Sequence, residues 1–206
     1  QFTRLKPQVY CGDTTYSTQL LVEIVSNSID EFKLGHGNKI DITLINEDTI
    51  SVRDYGQGIL VNSLREDGKT VLEAVFSVLN TSGKYREDGT YEGTSLGNFG
   101  IGSKLPTFLS HNLTVTSYRD GEYETIEFIE GVFNRREVGK TKEESGIYVA
   151  WQPSEEFFTH TNVELNKVKD YLKTLSCLCP GLNISLTDKK TDKVINYYSD
   201  NGINDL

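Results

Sequence analysis

The sequence predicts a two-layer α+β domain, in which a mostly antiparallel, mixed β-sheet carries helices on one of its faces. Three observations support this fold class: strand-like segments that occur in pairs around turn residues, helical segments with an apolar face, and a 36% share of apolar residues. The length of 206 residues suits one domain and no linker interrupts it, so we predict a single domain over residues 1–206. The chain has no methionine, not even at its start, and we expect it to be a fragment of a larger subunit.

Helices are predicted over residues 18–33, 71–79 and 163–175. In the first, one helix face carries the apolar side chains of Leu21, Val22, Ile24, Val25, Ile29 and Phe32. In the last, the same spacing is shown by Leu165, Val168, Leu172 and Leu175. These apolar faces need a partner, and we expect them to cover one side of the sheet.

Strands are predicted where short β-prone segments flank turn residues. Asn46-Glu47-Asp48 separates the first pair of strands, and Asp120-Gly121 is a strong hairpin signal between the second pair. The predicted strands cover residues 39–45, 50–54, 113–118, 123–129, 147–152, 182–187 and 194–198. Because a hairpin places its two strands antiparallel, the sheet should be largely antiparallel.

Charge and composition exclude several classes of protein. The net charge of −9 disfavours a basic nucleic-acid-binding module, although backbone amides and magnesium can still neutralise an anionic nucleotide. No apolar run approaches the length of a membrane-spanning helix, so we expect no membrane partner. The spacing of Cys11, Cys177 and Cys179 suits neither a disulfide scaffold nor a zinc site, and no signal peptide is visible. We therefore expect free thiols and a cytoplasmic location.

A polar stripe runs along the first predicted helix, opposite its apolar face. Glu23, Asn27 and Asp30 are spaced i, i+4 and i+7, so their side chains share one face. Taken alone, such a stripe is most often a solvated helix face. Its functional interpretation depends on the motifs that follow it.

The second motif is Arg53-Asp54-Tyr55-Gly56-Gln57-Gly58-Ile59, in which a carboxylate ends a predicted strand and two glycines follow. Glycine allows a sharp turn and lets a flat ligand lie against the backbone. The carboxylate of Asp54 can accept a hydrogen bond from an exocyclic amine such as that of adenine. Alone, this D-x-G-x-G pattern is also common in structural turns.

The third motif closes a glycine-rich segment, residues 82–102, which we predict to be a mobile loop and a candidate lid. Its sequence is Gly97-Asn98-Phe99-Gly100-Ile101-Gly102-Ser103-Lys104, whose successive amides before a helix could form an anion-binding nest. The Ser-Lys order differs from a Walker A loop, and the G-x-x-G-x-G spacing differs from the Rossmann motif. A simple flexible loop is the alternative.

The order of these motifs is more specific than any one of them. A helical E-x-x-x-N-x-x-D, then D-x-G-x-G, then G-x-x-G-x-G resembles the GHKL ATPases, which include gyrase, the ninety-kilodalton heat-shock chaperone, histidine kinases and MutL-type repair proteins. Residues 4–14, 23–31 and 145–154 further resemble the N-terminal ATP-binding subdomain of gyrase B and topoisomerase IV, the type IIA DNA topoisomerases. The resemblance implies the Bergerat fold. Residues 100–104 (GIGSK) lean toward the eukaryotic and phage type II enzymes.

The resemblance also implies a role for each matching position. Glu23 would be the general base that activates water, Asn27 would bind Mg²⁺, and Asp54 would accept a hydrogen bond from the adenine amino group. Other positions implied to border the base or to cradle the phosphates are Gly58, Ile59, Lys84, Gly97, Asn98, Phe99, Gly100, Ile101 and Gly102. Positions implied at the pocket rim or at inhibitor contacts are Glu31, Gln57, Arg119 and Ile147. An arginine beside a hairpin turn, such as Arg119, is otherwise a solvated surface charge.

Two of these rim positions depart from the family pattern. Gln57 stands where gyrase usually has an arginine that pairs with the position of Glu31, so the resemblance does not supply that pair. Ile147 replaces a threonine beside the adenine-binding aspartate, so a hydroxyl is lost and the water network around Asp54 must be rebuilt or thinned. We expect weaker binding of inhibitors that use that hydroxyl.

The function implied is that of the ATP-hydrolysing domain of a type II DNA topoisomerase, in which ATP-driven dimerisation gates the passage of one DNA duplex through another. The implied cofactors are ATP and Mg²⁺. The implied partners are a second copy of the subunit, a gyrase A-like cleavage subunit, DNA through further domains, and aminocoumarin-type inhibitors. The alternatives are a chaperone- or mismatch-repair-type GHKL clamp and a non-enzymatic module with a degenerate pocket.

Overall fold

The computed structural model describes Gln8, residues 11–78 and residues 102–206. The first described part contains a long helix, α1 (Thr18–Lys33), a hairpin of β1 (Lys39–Leu44) and β2 (Ile50–Asp54), and a short helix, α2 (Val71–Ser77). The predicted bounds of α1 and β2 are confirmed to the residue. Helix α2 ends at Ser77, before the predicted residue 79, because Val78 has extended backbone angles.

The second described part begins with a 3₁₀ turn (Gly102–Lys104) that leads into helix α3 (Leu105–Leu109). The remaining elements are β3 (Ser110–Arg119), β4 (Glu122–Ile129), β5 (Val132–Lys140), β6 (Gly146–Pro153), α4 (Leu165–Leu178), β7 (Asn183–Asp188), β8 (Lys193–Tyr197) and a last 3₁₀ turn (Gly202–Asp205). Helix α4 lies two to three residues later in the chain than predicted. None of the helices in these described residues is long and apolar enough to cross a membrane.

The eight strands form one sheet in the order β5-β4-β3-β6-β2-β1-β7-β8. Every neighbouring pair is antiparallel except β1 and β7, which run parallel with Ile40 opposite Ile184. The predicted mostly antiparallel, mixed sheet is therefore confirmed. The hairpins fix only neighbours in the chain, whereas the parallel pair joins segments more than 140 residues apart.

Strand β5 corrects the sequence prediction, which left residues 132–140 unassigned. It lies at one edge of the sheet and pairs only with β4 among the described residues. Most of its side chains are exposed, including Val132 and Phe133, so no alternation of buried and exposed residues marks it. An edge strand of this kind is held by backbone hydrogen bonds to its neighbour and leaves little trace in the apolar pattern.

The core lies between the helices and one face of the sheet, which we call the inner face. The buried residues of this face alternate along the strands: Ile40, Ile42, Ile50, Val52, Leu113, Val115, Ile126, Phe128, Val149, Trp151, Ile184 and Leu186. Helix α1 covers them with the predicted apolar stripe, in which Leu21, Ile24 and Val25 are almost fully buried. Each such side chain contributes about 1.5–3 kcal/mol through the surface it removes from water.

Candidate functional site

Helix α1 and the start of the 3₁₀ turn bring the first and third motifs together. Glu23 is partly buried, and its Oε1 accepts a hydrogen bond from Gln19 Nε2 at 2.7 Å. Its other oxygen faces Gly102, where an added Cβ atom would lie well under 3.0 Å from Glu23 Oε2. A residue other than glycine at position 102 would therefore displace this carboxylate.

The predicted polar stripe of α1 is not uniform. Asn27 is exposed and Glu23 is partly buried, whereas Asp30 is only 8% exposed. Two of its three members are thus open to a ligand at the surface of the helix, one turn apart, and the third belongs to the protein interior.

Asp54, at the end of β2, is the most constrained carboxylate of the site. Its Oδ1 accepts hydrogen bonds from the amides of Gly56 (3.0 Å) and Ile147 (3.1 Å), and its Oδ2 accepts one from Ser28 Oγ (3.2 Å). Burial raises the pKa of Asp54, and the nearby charge of Glu31 adds to the rise, although the three hydrogen bonds favour the charged form. Three separate segments of the chain therefore orient one acceptor, as recognition of an amine requires.

Two of these hydrogen-bond donors concern position 147, where isoleucine replaces the family's threonine. Ile147 has no hydroxyl, but its backbone amide donates to Asp54, and the hydroxyl of Ser28 reaches the other carboxylate oxygen. Ser28 was not among the predicted site residues. A signal was available, because Ser28 is a polar residue four positions after Ile24 on the apolar side of α1, and such a buried hydroxyl needs a partner.

The loop after Asp54 is fastened to β3. Gly58 has φ +73°, and a side chain there would collide with the carbonyl of Tyr118, so glycine is required on both counts. Ser117 Oγ accepts the amide of Ile59 at 2.8 Å and donates to the carbonyl of the same residue at 2.7 Å. These bonds therefore hold the loop in a fixed position relative to β3.

Arg119 lies beside this loop and is not a fully solvated charge. Its Nη1 donates to the carbonyl of Gly58 at 3.3 Å, its Nε pairs with Asp120 at 3.4 Å, and its side chain is 23% exposed. The structure thus places Arg119 next to the second motif, where a rim residue was expected from the sequence.

Glu31 has a partner that the motifs did not indicate. Its Oε2 lies 3.2 Å from Nδ1 of His36, and its side chain packs against Gly56. Gln57, at the position where an arginine was expected to pair with Glu31, is partly buried. His36, five residues after Glu31, thus contacts Glu31 in this chain, which has glutamine in place of the family's arginine.

Lys104 is a second residue that the site prediction did not include. It is fully buried at the end of the 3₁₀ turn, and burial lowers the pKa of its amine to about 8. The helix expected after the glycine-rich motif is present, but α3 has only five residues. The other predicted phosphate-loop residues lie outside the described part of the chain: Lys84, Gly97, Asn98, Phe99, Gly100 and Ile101. The same holds for the candidate lid before Gly102.

Comparison with known protein families matches the motif region of the chain. A family model described as histidine kinase-, DNA gyrase B- and HSP90-like ATPase covers residues 15–147. This span contains all three motifs.

Relatives similar to the chain are B-type subunits of topoisomerases. The one from the type 2 topoisomerase of Aquifex aeolicus is 33% identical over 211 residues, covering 100% of this chain and 26% of the relative. The one from DNA topoisomerase 4 of Bacillus subtilis is 34% identical over 205 residues, covering 97% of this chain and 31% of the relative. The chain thus spans about a quarter to a third of the length of these curated relatives.

Two solved structures have the same fold. The topoisomerase IV ATP-binding domain of Francisella tularensis, solved with a small-molecule inhibitor, superposes with a TM-score of 0.84, covering 98% of this chain and 54% of that one. The 43K ATPase domain of Thermus thermophilus gyrase B, solved with an aminocoumarin, gives a TM-score of 0.81, covering 98% and 52%. Both are 24% identical to the chain, and at that identity the likeness shows the α+β fold.

Proposed function

The chain belongs to the family of histidine kinase-, DNA gyrase B- and HSP90-like ATPases, and from that premise we propose that it is the ATP-binding and ATP-hydrolysing domain of a type II DNA topoisomerase. The names of its relatives support the topoisomerase assignment. The single observation that carries the site is Asp54, a buried carboxylate held by three hydrogen bonds at the end of a strand. In the whole enzyme, ATP-driven dimerisation would gate the passage of DNA.

In this proposal, different described residues contact different parts of the nucleotide. Asp54 accepts a hydrogen bond from the adenine amino group, and Gly58 and Ile59 border the base. Glu23 takes a proton from the attacking water, which a carboxylate can do when it lies within hydrogen-bond reach. Gly102 leaves space for that carboxylate.

The remaining positions of the proposed site follow from the resemblance. Lys84 and the amides of Gly97, Asn98, Phe99, Gly100 and Ile101 would cradle the phosphates, and Glu31, Gln57, Arg119 and Ile147 would form the rim. Backbone amides and a lysine suit this task because they stabilise the charge that develops on the phosphates.

Mg²⁺ fits the donor set of the site. Asn27 is an exposed residue one helical turn from Glu23 and carries an amide oxygen, and Mg²⁺ commonly takes one or two protein oxygens together with phosphates and water. Within residues 11–78 and 102–206, no cluster of three or more histidine, cysteine or acidic residues could hold a metal ion by itself. We therefore assign Asn27 as a magnesium ligand that acts together with the nucleotide. When bound, the ion would neutralise phosphate charge.

The proposed partners follow from the same assignment. They are ATP, a second copy of the subunit, a gyrase A-like cleavage subunit, DNA through other domains, and aminocoumarin-type inhibitors at the rim. We further propose that residues 1–206 form one ATP-binding domain that acts in the cytoplasm, with its three cysteines as the free thiols that the structure contains.

Two substitutions test the proposed site. Glu23→Ala should retain binding of a non-hydrolysable ATP analogue in calorimetry and abolish hydrolysis in the full-length protein, whereas Asp54→Asn should lose binding. A matched control is Asp41→Asn, because Asp41 lies on the adjacent strand but on its other face, bonded to Tyr55 and Ser185. Normal analogue binding by Asp54→Asn, or loss of binding by the control alone, would overturn the assignment.

A further inference from the structure

The inner sheet face, apolar over most of its area, becomes polar near Asp54. Ser117 and Glu124 lie directly opposite each other on β3 and β4, and both are fully buried. Ser117 is also paired with Ile147 on β6, whose amide donates to Asp54. A row of neighbouring sheet positions therefore links Asp54 to Glu124 across four strands.

Glu124 binds the far end of the loop that follows Asp54. Its Oε2 accepts the amide of Asn62 at 2.7 Å, and its Oε1 accepts Nε of Arg136 at 2.9 Å. Arg136 Nη2 completes the triangle by donating to Asn62 Oδ1 at 2.5 Å. Hydrogen bonds that involve charged groups are stronger than neutral ones and hold a fixed geometry.

The backbone at Asn62 depends on these bonds. Its φ is +54°, in the left-handed region that residues with a Cβ atom rarely adopt, although asparagine tolerates it best. Such a conformation persists where its surroundings fix it. Three residues earlier, Ser117 holds both backbone groups of Ile59. The sheet thus fixes the loop at two points, at Ile59 and at Asn62.

Glu124 is fully buried and the side chain of Arg136 is 27% exposed. An ion pair of this kind is a poor way to gain stability, because removing the carboxylate charge from water offsets much of the attraction. The Glu124–Arg136 pair is better explained by the geometry that it imposes. Glu124 is fully buried, so it can act on a ligand only through the loop that it binds.

We propose that Glu124 and Arg136 are positioning residues that set the selectivity of the site for the purine base. Both side chains bond to Asn62, and through this residue they fix the loop whose Gly58 and Ile59 border the base. This inference rests on the proposed function, since it deepens the same site. The triphosphate end of the ligand is held elsewhere, so loosening the loop should weaken recognition of the base and leave phosphate binding unchanged.

Glu124→Gln tests this with little change in shape. We would measure the dissociation constants of the β,γ-imido analogues of ATP and GTP with Mg²⁺, the weaker one by competition. The adenine analogue should bind about tenfold more weakly, and the guanine analogue should change less than twofold, so discrimination falls about tenfold. The matched control is Arg135→Gln, the neighbouring strand residue, which pairs with Glu127 and is 69% exposed; it should change neither constant.

A second variant, Asn62→Gly, keeps the amide bonded to Glu124 and suits the left-handed backbone, so it should fold. It removes the bond to Arg136 and should weaken the adenine analogue about threefold, again without affecting the guanine analogue. A general loss of folded protein would reduce the apparent binding of both analogues equally, and that result would overturn the inference. Unchanged discrimination between the two analogues in both variants would also overturn it. If the unaltered chain binds neither analogue, the proposed function falls together with the inference.

Discussion

Replacing Gly102 by alanine should slow ATP hydrolysis through its effect on Glu23. The added methyl would lie well under 3.0 Å from Glu23 Oε2, where ordinary contact begins at about 3.4 Å, so the oxygen must retreat by about 1 Å. The carboxylate is the free end of a flexible side chain, so it can move, but the movement strains its hydrogen bond from Gln19.

The magnitudes for stability and catalysis differ sharply. Loss of one hydrogen bond costs about 0.5–1.5 kcal/mol, which corresponds to a fall of roughly 1–6 °C in melting temperature for a domain of this size. A catalytic group displaced by about 1 Å costs on the order of a hundredfold in rate. Gly102→Ala should therefore be nearly as stable as the unaltered chain and about a hundredfold slower.

The assay is single-turnover hydrolysis of ATP with excess protein, together with the dissociation constant of a non-hydrolysable analogue. Binding should change less than about threefold, which separates displacement of Glu23 from damage to the phosphate site. Gln19→Ala is the matched control, because it removes the same hydrogen bond without filling the space, and it should slow hydrolysis less than about tenfold. If Gly102→Ala hydrolyses ATP as fast as the unaltered chain while Glu23→Ala does not, the reasoning is refuted.

Three further predictions concern residues in or beside the site. Because burial raises the pKa of Asp54, the folded state becomes less stable relative to the unfolded chain as the pH rises through the folded-state pKa. Asp54→Asn removes this charge, so it should resist urea better than the unaltered chain at about pH 8, with a smaller advantage at about pH 4. Because burial lowers the pKa of Lys104 to about 8 from 10.5, stability should rise between these pH values, and Lys104→Met should remove about 1–3 kcal/mol of that rise in urea titrations. Ile147→Thr should strengthen inhibitors that use a hydroxyl there by about 1 kcal/mol, or roughly fivefold; equal affinities would reject this.

Local signals predicted the elements that bury an apolar face. Helix α1 was predicted to its last residue because its apolar stripe has the helical period and Gly35 follows its end. Strand β5 escaped prediction because its exposed side chains carry no such period. It is a strand because β4 offers it a row of backbone partners, and that row exists only in the folded sheet.

The candidate site divides in the same way. The motifs pointed to Glu23, Asn27, Asp54 and Gly102 as candidates because residue type and spacing are visible in the sequence. The motifs did not indicate the residues that hold Asp54 and the loop after it: Ser28, Ser117, Glu124 and Arg136. Serine and glutamate are common on surfaces, and of these four residues only Ser28 carries a sequence signal of burial, its place on the apolar side of α1.

Local sequence predicts the apolar faces and the candidate acidic residues, since each depends on neighbours within a few turns of chain, and the order of the motifs predicts the family. The folded structure sets which groups surround these residues. Ser28 reaches Asp54 across 26 residues and the amide of Ile147 reaches it across 93. Such long-range hydrogen bonds form only after the strands have paired. The position of each strand in the sheet determines which groups lie together at one end of the inner face, and local sequence does not reveal that position.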